Sequence, residues 1–304
     1  MNFYPDGGGY YLRQKLAKIH NVEPDEIILG NGSDEIVSLI TQVLIEPGDE
    51  AVISEWAFIR YQQAVQVMNG KSVIVPALHY RHNLVSMRSA VTEKTKIVFI
   101  CNPNNPTGTM LTSTEIFQFM RDIPDSVLVV FDEAYYEYVT NSDYPKTMHY
   151  FRDKRNVIIL RTFSKIYGLA GTRVGYGFAT QEFVSNLNRV RPPFNVNRLA
   201  QAGALASLDD TEHLNKSVAS NTHGKNYLYD ELKKMNLPYL PTEANFILID
   251  CQKDGNQVNQ KLLQQGVIVR SMGMYGQANQ LRVTIGTEEQ NKRFITALKN
   301  ALTS

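Results

Sequence analysis

Runs of residues that are apolar at nearly every position constrain the fold of this chain more than any other feature. Two of them, TKIVFIC (95–101) and SVLVVFD (126–132), are followed by similar runs at 156–162 and 173–179, and segments with helical spacing lie between earlier runs. A strand needs apolar side chains on both faces only when helices cover both faces, as in a parallel sheet. We therefore predict an α/β fold with a three-layer αβα domain and a mainly parallel sheet.

The pattern changes after about residue 180. Helical spacing dominates from 181 to 236, and three short apolar runs (244–250, 266–270 and 280–286) surround one more helical segment and precede a final one. Thr287 and Gln290 have the spacing of a capping box at the start of that last helix. This part predicts a smaller α+β domain, and we place the large domain at 1–204 and the small domain at 205–304.

Charge and cysteine content limit the kinds of partner and compartment. The 31 basic and 30 acidic residues nearly cancel, which gives no reason to expect a nucleic-acid or membrane partner. No apolar run is long enough to span a bilayer, and the first residues lack the apolar segment of a signal peptide. The two cysteines, Cys101 and Cys251, are far apart in sequence, which fits a reducing cytoplasm.

Two of the apolar runs end in polar residues that could carry chemistry. Asp132 closes the run at 126–132, and a carboxylate buried there would need a cationic partner such as a protonated pyridine nitrogen. Its alternative role is to cap the following segment. Asn105 lies in the turn CNPNNPTG (101–108), where it would be a neutral hydrogen-bond donor, although a purely structural turn is the alternative.

Two further segments indicate an anion site and a reactive amine. Gly32 and Ser33 open a helix, whose free N–H groups would suit a phosphate, although simple capping by Ser33 is the alternative. In RTFSKIYGLAGTR (161–173), Lys165 would become nucleophilic if it were desolvated or placed near a second cation such as Arg173. A single lysine in a loop is usually exposed, so the combination of these features carries the prediction. Together they describe a site for pyridoxal 5′-phosphate (PLP).

At this point the sequence resembles a known family, the fold-type I PLP-dependent aminotransferases, and within it the histidinol-phosphate aminotransferases. The resemblance extends from FYPDGG near residue 3 to the C-terminal helix. It is carried by CNPNNPTG, DEAYYEY, RTFSKIYGLAGTRVGYG, VRPPFNVN and LRVTIGT.

The resemblance implies a role for each matching residue. Lys165 would form the Schiff base with the cofactor and move the substrate proton, Asp132 would pair with the pyridine nitrogen, and Asn105 and Tyr135 would bond the phenolic oxygen of the ring. The other residues implied to contact the cofactor are Gly32, Ser33, Ser164, Arg173 and Thr162 at the phosphate and Phe58 stacked on the ring. Core packing is the alternative for Phe58, and for Trp56 it is nearly as good an interpretation as ring contact.

Substrate and subunit contacts are implied in the same way. Arg282 and Arg270 match arginines that bind anionic substrate groups, a surface salt bridge being the alternative. Tyr4 matches a tyrosine that reaches the cofactor phosphate of the partner subunit, so a homodimer with shared active sites is expected. Family members carry several dozen residues ahead of the YPD stretch, and the resemblance implies that this segment takes part in substrate closure and dimer contacts.

The implied reaction is transamination between histidinol phosphate, or imidazole-acetol phosphate, and glutamate, or 2-oxoglutarate, in histidine biosynthesis. An aminotransferase for aromatic or other amino acids and an enzyme that decarboxylates threonine phosphate remain alternatives. A truncated, inactive PLP-binding paralogue is an alternative of a different class. The six histidines show no metal-binding spacing and are interpreted as surface residues.

Overall fold

The computed structural model describes residues 2–153 and 155–303. The helices of this part are α1 (Tyr10–His20), α2 (Ser33–Leu44), α3 (Arg60–Val67), α4 (Leu84–Ser89), α5 (Ser113–Asp122), α6 (Met148–Arg152), α7 (Gln181–Val190), α8 (Arg198–Ser207), α9 (Thr211–Lys234), α10 (Gly255–Gln264) and α11 (Glu288–Thr303). The strands are β1 (Ile27–Gly30), β2 (Glu50–Ser54), β3 (Lys71–Val75), β4 (Thr95–Cys101), β5 (Leu128–Asp132), β6 (Val157–Thr162), β7 (Gly175–Phe178), β8 (Phe246–Asp250), β9 (Arg270–Ser271) and β10 (Gln280–Thr284).

The first seven strands form one mixed sheet in the order β1-β7-β6-β5-β4-β2-β3. Strands β3, β2, β4, β5 and β6 pair in parallel, whereas β7 is antiparallel to both β6 and β1. Every residue of β5 and β6 is buried. The predicted mainly parallel sheet is confirmed.

Helices cover both faces of this sheet, which explains why its strands are apolar throughout. Along β5, Val129 and Phe131 belong to the core that also contains residues of α1, α4, α5, α6 and α8. Leu128 and Val130 point to the opposite core, which contains residues of α2, α3 and α7. Because successive side chains of a strand alternate between faces, two cores demand an apolar residue at each position.

The last three strands form a separate antiparallel sheet in the order β8-β10-β9. Its core joins residues of α9, α10 and α11, and α11 begins with the predicted reciprocal hydrogen bonds between Thr287 and Gln290. The apolar run at 266–270 yields a shorter strand than expected, since only Arg270 and Ser271 pair with β10. Val267 and Val269 instead pack against the core from the preceding loop, and Ile268 between them is exposed.

Strand direction gathers the predicted site residues at one edge of the large sheet. Strands β1, β4, β5 and β6 run the same way, so their carboxyl ends meet there, and antiparallel β7 begins at that same edge. The register places Cys101 opposite Asp132, and Gly175 opposite both Thr162 and Gly30. The segments around these positions are those in which the sequence placed its polar residues.

His82 departs most clearly from the surface position predicted for all six histidines. His82 is 6% exposed, and its Nε2 atom lies 3.1 Å from the carbonyl oxygen of Cys101 and 3.2 Å from its amide nitrogen. The expectation is wrong for His82 because its loop folds back against the end of β4. Burial lowers the pKa of His82 to about 4, so the imidazole is neutral near pH 7.

Candidate active site

A cavity opens at the carboxyl edge of the large sheet. It is bordered by loop, strand-end and helix-start residues, namely Gly32, Ser33, Asp34, Phe58, Cys101, Asn105, Asp132, Ala134, Tyr135, Thr162, Ser164, Lys165 and Arg173. Every residue predicted to contact the cofactor lies around it except Tyr4. Asp34, Cys101 and Ala134 also border the cavity and were not predicted to.

Asp132 closes β5 and is 5% exposed, so its carboxylate depends on protein hydrogen bonds. The hydroxyl of Tyr61 donates to Asp132 Oδ2 at 2.7 Å, and the N–H of Ala134 donates to Oδ1 at 3.2 Å. Burial raises the pKa of Asp132, and these two hydrogen bonds act against that rise. A carboxylate in this position favours a cationic ligand group in the cavity.

Tyr61 is the main contributor to this site that the sequence interpretation missed. It lies in α3, whose buried face consists of Tyr61, Ala64 and Val65. The helical spacing of these residues indicated burial. It could not show that the hydroxyl reaches a carboxylate 71 positions later.

Lys165 follows β6 in a loop that turns its amine toward the cavity. Its Nζ lies 5.3 Å from the centre of the Tyr135 ring. Burial lowers the pKa of Lys165, the positive charges of Arg282 and Arg173 lower it further, and Asp132 opposes them. The amine is therefore more easily deprotonated than that of an exposed lysine, as a nucleophilic or proton-transferring amine requires.

Tyr135 stands beside Lys165 as a neutral phenol. It is buried and packs edge-on against Phe246, with ring centres 5.2 Å apart. Burial raises the pKa of Tyr135, so its hydroxyl remains a hydrogen-bond donor at neutral pH.

The start of α2 forms an anion cradle. Gly32 occupies the N-cap position with φ 77°, so no side chain caps the helix and the alternative that Ser33 does so is excluded. A Cβ on Gly32 would lie 2.4 Å from Nη2 of Arg173, and a Cβ on Gly175 would lie 2.3 Å from the amide nitrogen of Ser33. Glycine at both positions lets a guanidinium and a strand approach the helix start, which is a site suited to phosphate.

The side chains around the cradle hold one another in place. Arg173 donates to Ser164 Oγ at 3.3 Å and to the carbonyl oxygen of Ala170 at 3.1 Å. The hydroxyl of Thr162 accepts the N–H of Ser164 at 3.1 Å, so it orders the loop that precedes Lys165. Asp34, which would repel an anion, pairs with Arg60 at 2.7 Å.

Arg282 of the small sheet contacts a residue that borders this cavity, although it does not border the cavity itself. Arg282 on β10 donates a hydrogen bond to Oδ1 of Asn105, and its guanidinium lies 4.9 Å from the centre of the Phe246 ring. Arg270 is its register partner on β9, yet it is exposed, contacts the sulfur of Met274 and does not border the cavity. The structure brings Arg282, but not Arg270, to the residues that surround Lys165.

Three aromatic residues of the prediction lie in different surroundings. Phe58 borders the cavity and meets Tyr61 edge-on, with ring centres 5.8 Å apart. Trp56 does not border it and stacks on Tyr80 at 4.5 Å, which agrees with a packing role. Tyr4 is 80% exposed and stacks on Phe194 at 4.7 Å, outside the cavity of its own chain.

Residues 2–153 and 155–303 contain neither a candidate metal site nor a helix that could span a membrane. No group of three or more histidine, cysteine, aspartate or glutamate side chains in this part could hold a metal ion. No helix in it is long and apolar enough to cross a membrane.

Comparison with known proteins agrees with this geometry. The family model for class I and II aminotransferases matches residues 1–298. The histidinol-phosphate aminotransferase of Moorella thermoacetica is 51% identical over 98% of this chain and 78% of its own length, and histidinol-phosphate aminotransferase 2 of Carboxydothermus hydrogenoformans is 48% identical over 99% and 84%. The crystal structure of the Sinorhizobium meliloti histidinol-phosphate aminotransferase with pyridoxal-5′-phosphate has a TM-score of 0.93 at 28% identity, covering 99% of this chain and 83% of that one.

Proposed function

Because this chain belongs to the class I and II aminotransferase family, we propose that it is a histidinol-phosphate aminotransferase. Its cofactor is pyridoxal 5′-phosphate. The observation that carries the proposal is the single cavity that joins the amine of Lys165 to the anion cradle at Gly32 and Arg173.

The residues of the cavity fit this cofactor chemically. The cradle offers free helix N–H groups and a guanidinium to a phosphate, and Cβ atoms at Gly32 and Gly175 would fill the space that these groups need. Asp132 supplies a buried carboxylate for a protonated ring nitrogen, and Lys165 supplies an amine with a lowered pKa. No buried cation stands in hydrogen-bond contact with Asp132 among the described residues, so its charge is available to a ligand.

When bound, the cofactor supplies an electron-withdrawing ring that stabilises negative charge at the substrate Cα. Asp132 would keep the ring nitrogen protonated, and Asn105 and Tyr135 would donate hydrogen bonds to the ring oxygen. Lys165 would anchor the cofactor and would move a proton between Cα of the substrate and C4′ of the cofactor. Its lowered pKa favours this role, because the neutral amine that accepts a proton forms more easily than in an exposed lysine.

Arg282 would hold the anionic end of either substrate. Histidinol phosphate carries a phosphate and glutamate carries carboxylates, and a guanidinium forms paired hydrogen bonds with both kinds of group. We infer glutamate as the amino donor and imidazole-acetol phosphate as its acceptor in the biosynthetic direction. Arg270 remains a second candidate for anion binding, from outside the cavity of the described residues.

We also propose a cytoplasmic homodimer with shared active sites, in which large and small domains divide at residues 204 and 205. Phe3, Tyr4, Tyr10 and Tyr11 are large and strongly exposed side chains near the start of the chain. Exposed aromatic groups clustered in this way favour a protein interface. Tyr4 would then serve the cavity of the partner subunit, consistent with its position away from that of its own.

The test of the proposed function is an amino-donor panel. Purified protein loaded with PLP is given 2-oxoglutarate and histidinol phosphate, phenylalanine, tyrosine or threonine phosphate separately, and glutamate and carbon dioxide are measured. We expect histidinol phosphate to give the highest kcat/KM and no carbon dioxide release. Preference for phenylalanine or tyrosine, or release of carbon dioxide from threonine phosphate, would contradict the substrate assignment.

Lys165→Ala tests whether the amine of Lys165 binds the cofactor covalently, and Lys146→Ala is its control. Lys165→Ala should lack the visible absorbance of cofactor bound to the protein amine and lose transamination. Lys146→Ala, at an exposed position of another loop, should retain both. Undiminished turnover by Lys165→Ala would remove the lysine from the mechanism.

A further inference from the structure

The hydroxyl of Tyr61 is fixed against Asp132 by the packing of its ring. Tyr61 is 0% exposed, and its ring is stacked on Phe99 with centres 4.5 Å apart and planes 7° apart, while Phe58 meets it edge-on. With the ring held between two aromatic neighbours, the hydroxyl stays 2.7 Å from Asp132 Oδ2. One residue of α3 thus touches both the carboxylate and an aromatic wall of the cavity.

Removal from water makes the ionised form of Asp132 costly, and Tyr61 offsets part of this cost. The groups that face the carboxylate are the hydroxyl of Tyr61, the N–H of Ala134, and the charged groups of Lys165 and Glu133. Among the interactions that favour ionisation, the hydrogen bond from Tyr61 lowers the pKa of Asp132 the most. Hydrogen bonds to charged acceptors are stronger than those between neutral groups.

A neutral donor stabilises the carboxylate of Asp132 without cancelling its negative charge, which a cation would do. An arginine or lysine at position 61 would also stabilise the carboxylate, but its charge would cancel the negative charge that the cavity presents to a ligand. The tyrosine hydroxyl leaves that charge in place. Burial and the neighbouring Asp132 raise the pKa of Tyr61, so it remains a protonated donor.

We propose that Tyr61 is a positioning residue for Asp132: its hydroxyl keeps the buried carboxylate ionised and oriented, so that Asp132 can hold a proton on the cofactor ring nitrogen. This inference rests on the proposed function only through the identity of the cofactor. It does not depend on which amine the enzyme processes. A residue that only filled space at position 61 could equally be phenylalanine.

A double-mutant cycle on cofactor affinity tests the proposal without turnover. The single tryptophan of the chain, Trp56, provides a fluorescence signal for PLP titration of the apoprotein. Tyr61→Phe should weaken PLP binding by about 10- to 100-fold in the presence of Asp132, which is the range expected for a lost hydrogen bond to a charged group. In the Asp132→Asn background the same substitution should change affinity by no more than about 2-fold, because the charge that it served is gone.

The pH dependence of binding gives a second readout. Loss of the donor raises the pKa of Asp132 further, so the carboxylate becomes protonated at a higher pH as the solution is acidified. The pH at which PLP affinity falls on acidification should therefore be higher in Tyr61→Phe than in the wild type. It should be unchanged in the control Tyr176→Phe. Tyr176 is an equally buried tyrosine in the core on the opposite face of the sheet.

Several results would overturn the proposal. Equal losses of affinity from Tyr61→Phe in both backgrounds would show that Tyr61 acts by packing alone, and so would an equal loss in Tyr176→Phe. Far-UV circular dichroism and thermal unfolding of each variant separate a local effect from loss of the fold. Wild-type protein that binds PLP but prefers another amino donor would contradict the proposed substrate and leave this inference intact.

Discussion

Arg282 donates a hydrogen bond to the side-chain oxygen of Asn105, a residue 177 positions earlier in the chain. Arg282 lies on β10 of the small sheet, and Asn105 lies in the turn that follows β4 of the large sheet. Arg282 is proposed to bind the anionic end of the substrate, and Asn105 is proposed to contact the cofactor ring. Their bond therefore links substrate recognition to the group that contacts the ring.

Substitution of Arg282 should affect both substrates. Arg282→Ala should lower kcat/KM for histidinol phosphate and for glutamate by about 100-fold, because each loses a charge-assisted contact of its anionic group. The kcat/KM values of Arg282→Lys should lie between those of the wild type and Arg282→Ala, since an ammonium cannot form the paired hydrogen bonds of a guanidinium. Steady-state kinetics with each substrate measure these effects. Arg88→Ala, at an exposed arginine of α4, is the control, and a loss confined to one substrate would contradict a shared anion site.

The lowered pKa of Lys165 predicts how cofactor attachment responds to pH. The neutral amine is the attacking form, so attachment of PLP to the apoprotein should speed up with rising pH and level off above the pKa of Lys165, which lies below 10.5. After burial, the charge of Arg282 is the largest cause of the lowered pKa of Lys165. Arg282→Met should therefore move the midpoint of the rate-against-pH curve to higher pH. Stopped-flow absorbance follows the reaction. An unchanged midpoint in Arg282→Met, or an equal shift in Arg270→Met, would contradict this electrostatic account.

Gly32 and Gly48 offer a matched pair for testing the anion cradle. Both have positive φ, 77° and 95°, so alanine at either position strains the backbone and should cost on the order of 1 kcal/mol of stability. Only at Gly32 would the new Cβ collide with the guanidinium of Arg173, since no described atom lies within 4 Å of a Cβ at Gly48. Gly32→Ala should therefore weaken PLP binding by about 10-fold or more, as expected for displacement of a charged contact. PLP titration measures the change in affinity, and thermal unfolding measures the change in stability. Equal PLP affinities of Gly32→Ala and Gly48→Ala would contradict the anion cradle.

Much of the fold and of the site could be predicted because parallel strands bring their carboxyl ends, and the residues that follow them, to one edge of the sheet. Apolar runs such as 126–132 indicated strands buried on both faces, and the rule that ligands bind at their carboxyl ends pointed to Asp132, Asn105 and Lys165. All three border one cavity. The sequence also predicted that Gly32 and Ser33 open a helix, and both residues border the same cavity.

Contacts made across layers could not be predicted in this way. The bond from Tyr61 to Asp132 depends on how α3 lies over the end of β5, and helical spacing fixes only which face of α3 is buried. His82 belongs to a polar stretch, and its burial depends on a loop folding back against β4. Arg270 and Arg282 lie opposite each other on β9 and β10, and only the packing of the small sheet on the large one distinguishes them.

A buried ion pair next to Asp132 in the chain was not predicted, and the loss of one of its partners should strongly lower stability. Arg161 donates through Nε at 3.1 Å and Nη2 at 2.9 Å to Oε2 of Glu133, and the two side chains are only 6% and 1% exposed. Its guanidinium also lies 3.7 Å from the centre of the Tyr136 ring, and the hydroxyl of Thr147 donates to the other oxygen of Glu133. Every charge in this cluster therefore has a close partner.

Replacing Glu133 should leave the buried guanidinium of Arg161 without its hydrogen-bonded carboxylate. Glu133→Gln should lower the free energy of unfolding by about 3–5 kcal/mol, whereas the double variant Glu133→Gln/Arg161→Met should lose less than the sum of its single changes. Urea unfolding followed by circular dichroism measures both. Glu212→Gln, which breaks an exposed pair with Lys216, is the control and should cost less than about 1 kcal/mol. Equal costs for Glu133→Gln and Glu212→Gln would mean that burial does not set the strength of the pair, because water would then screen both alike.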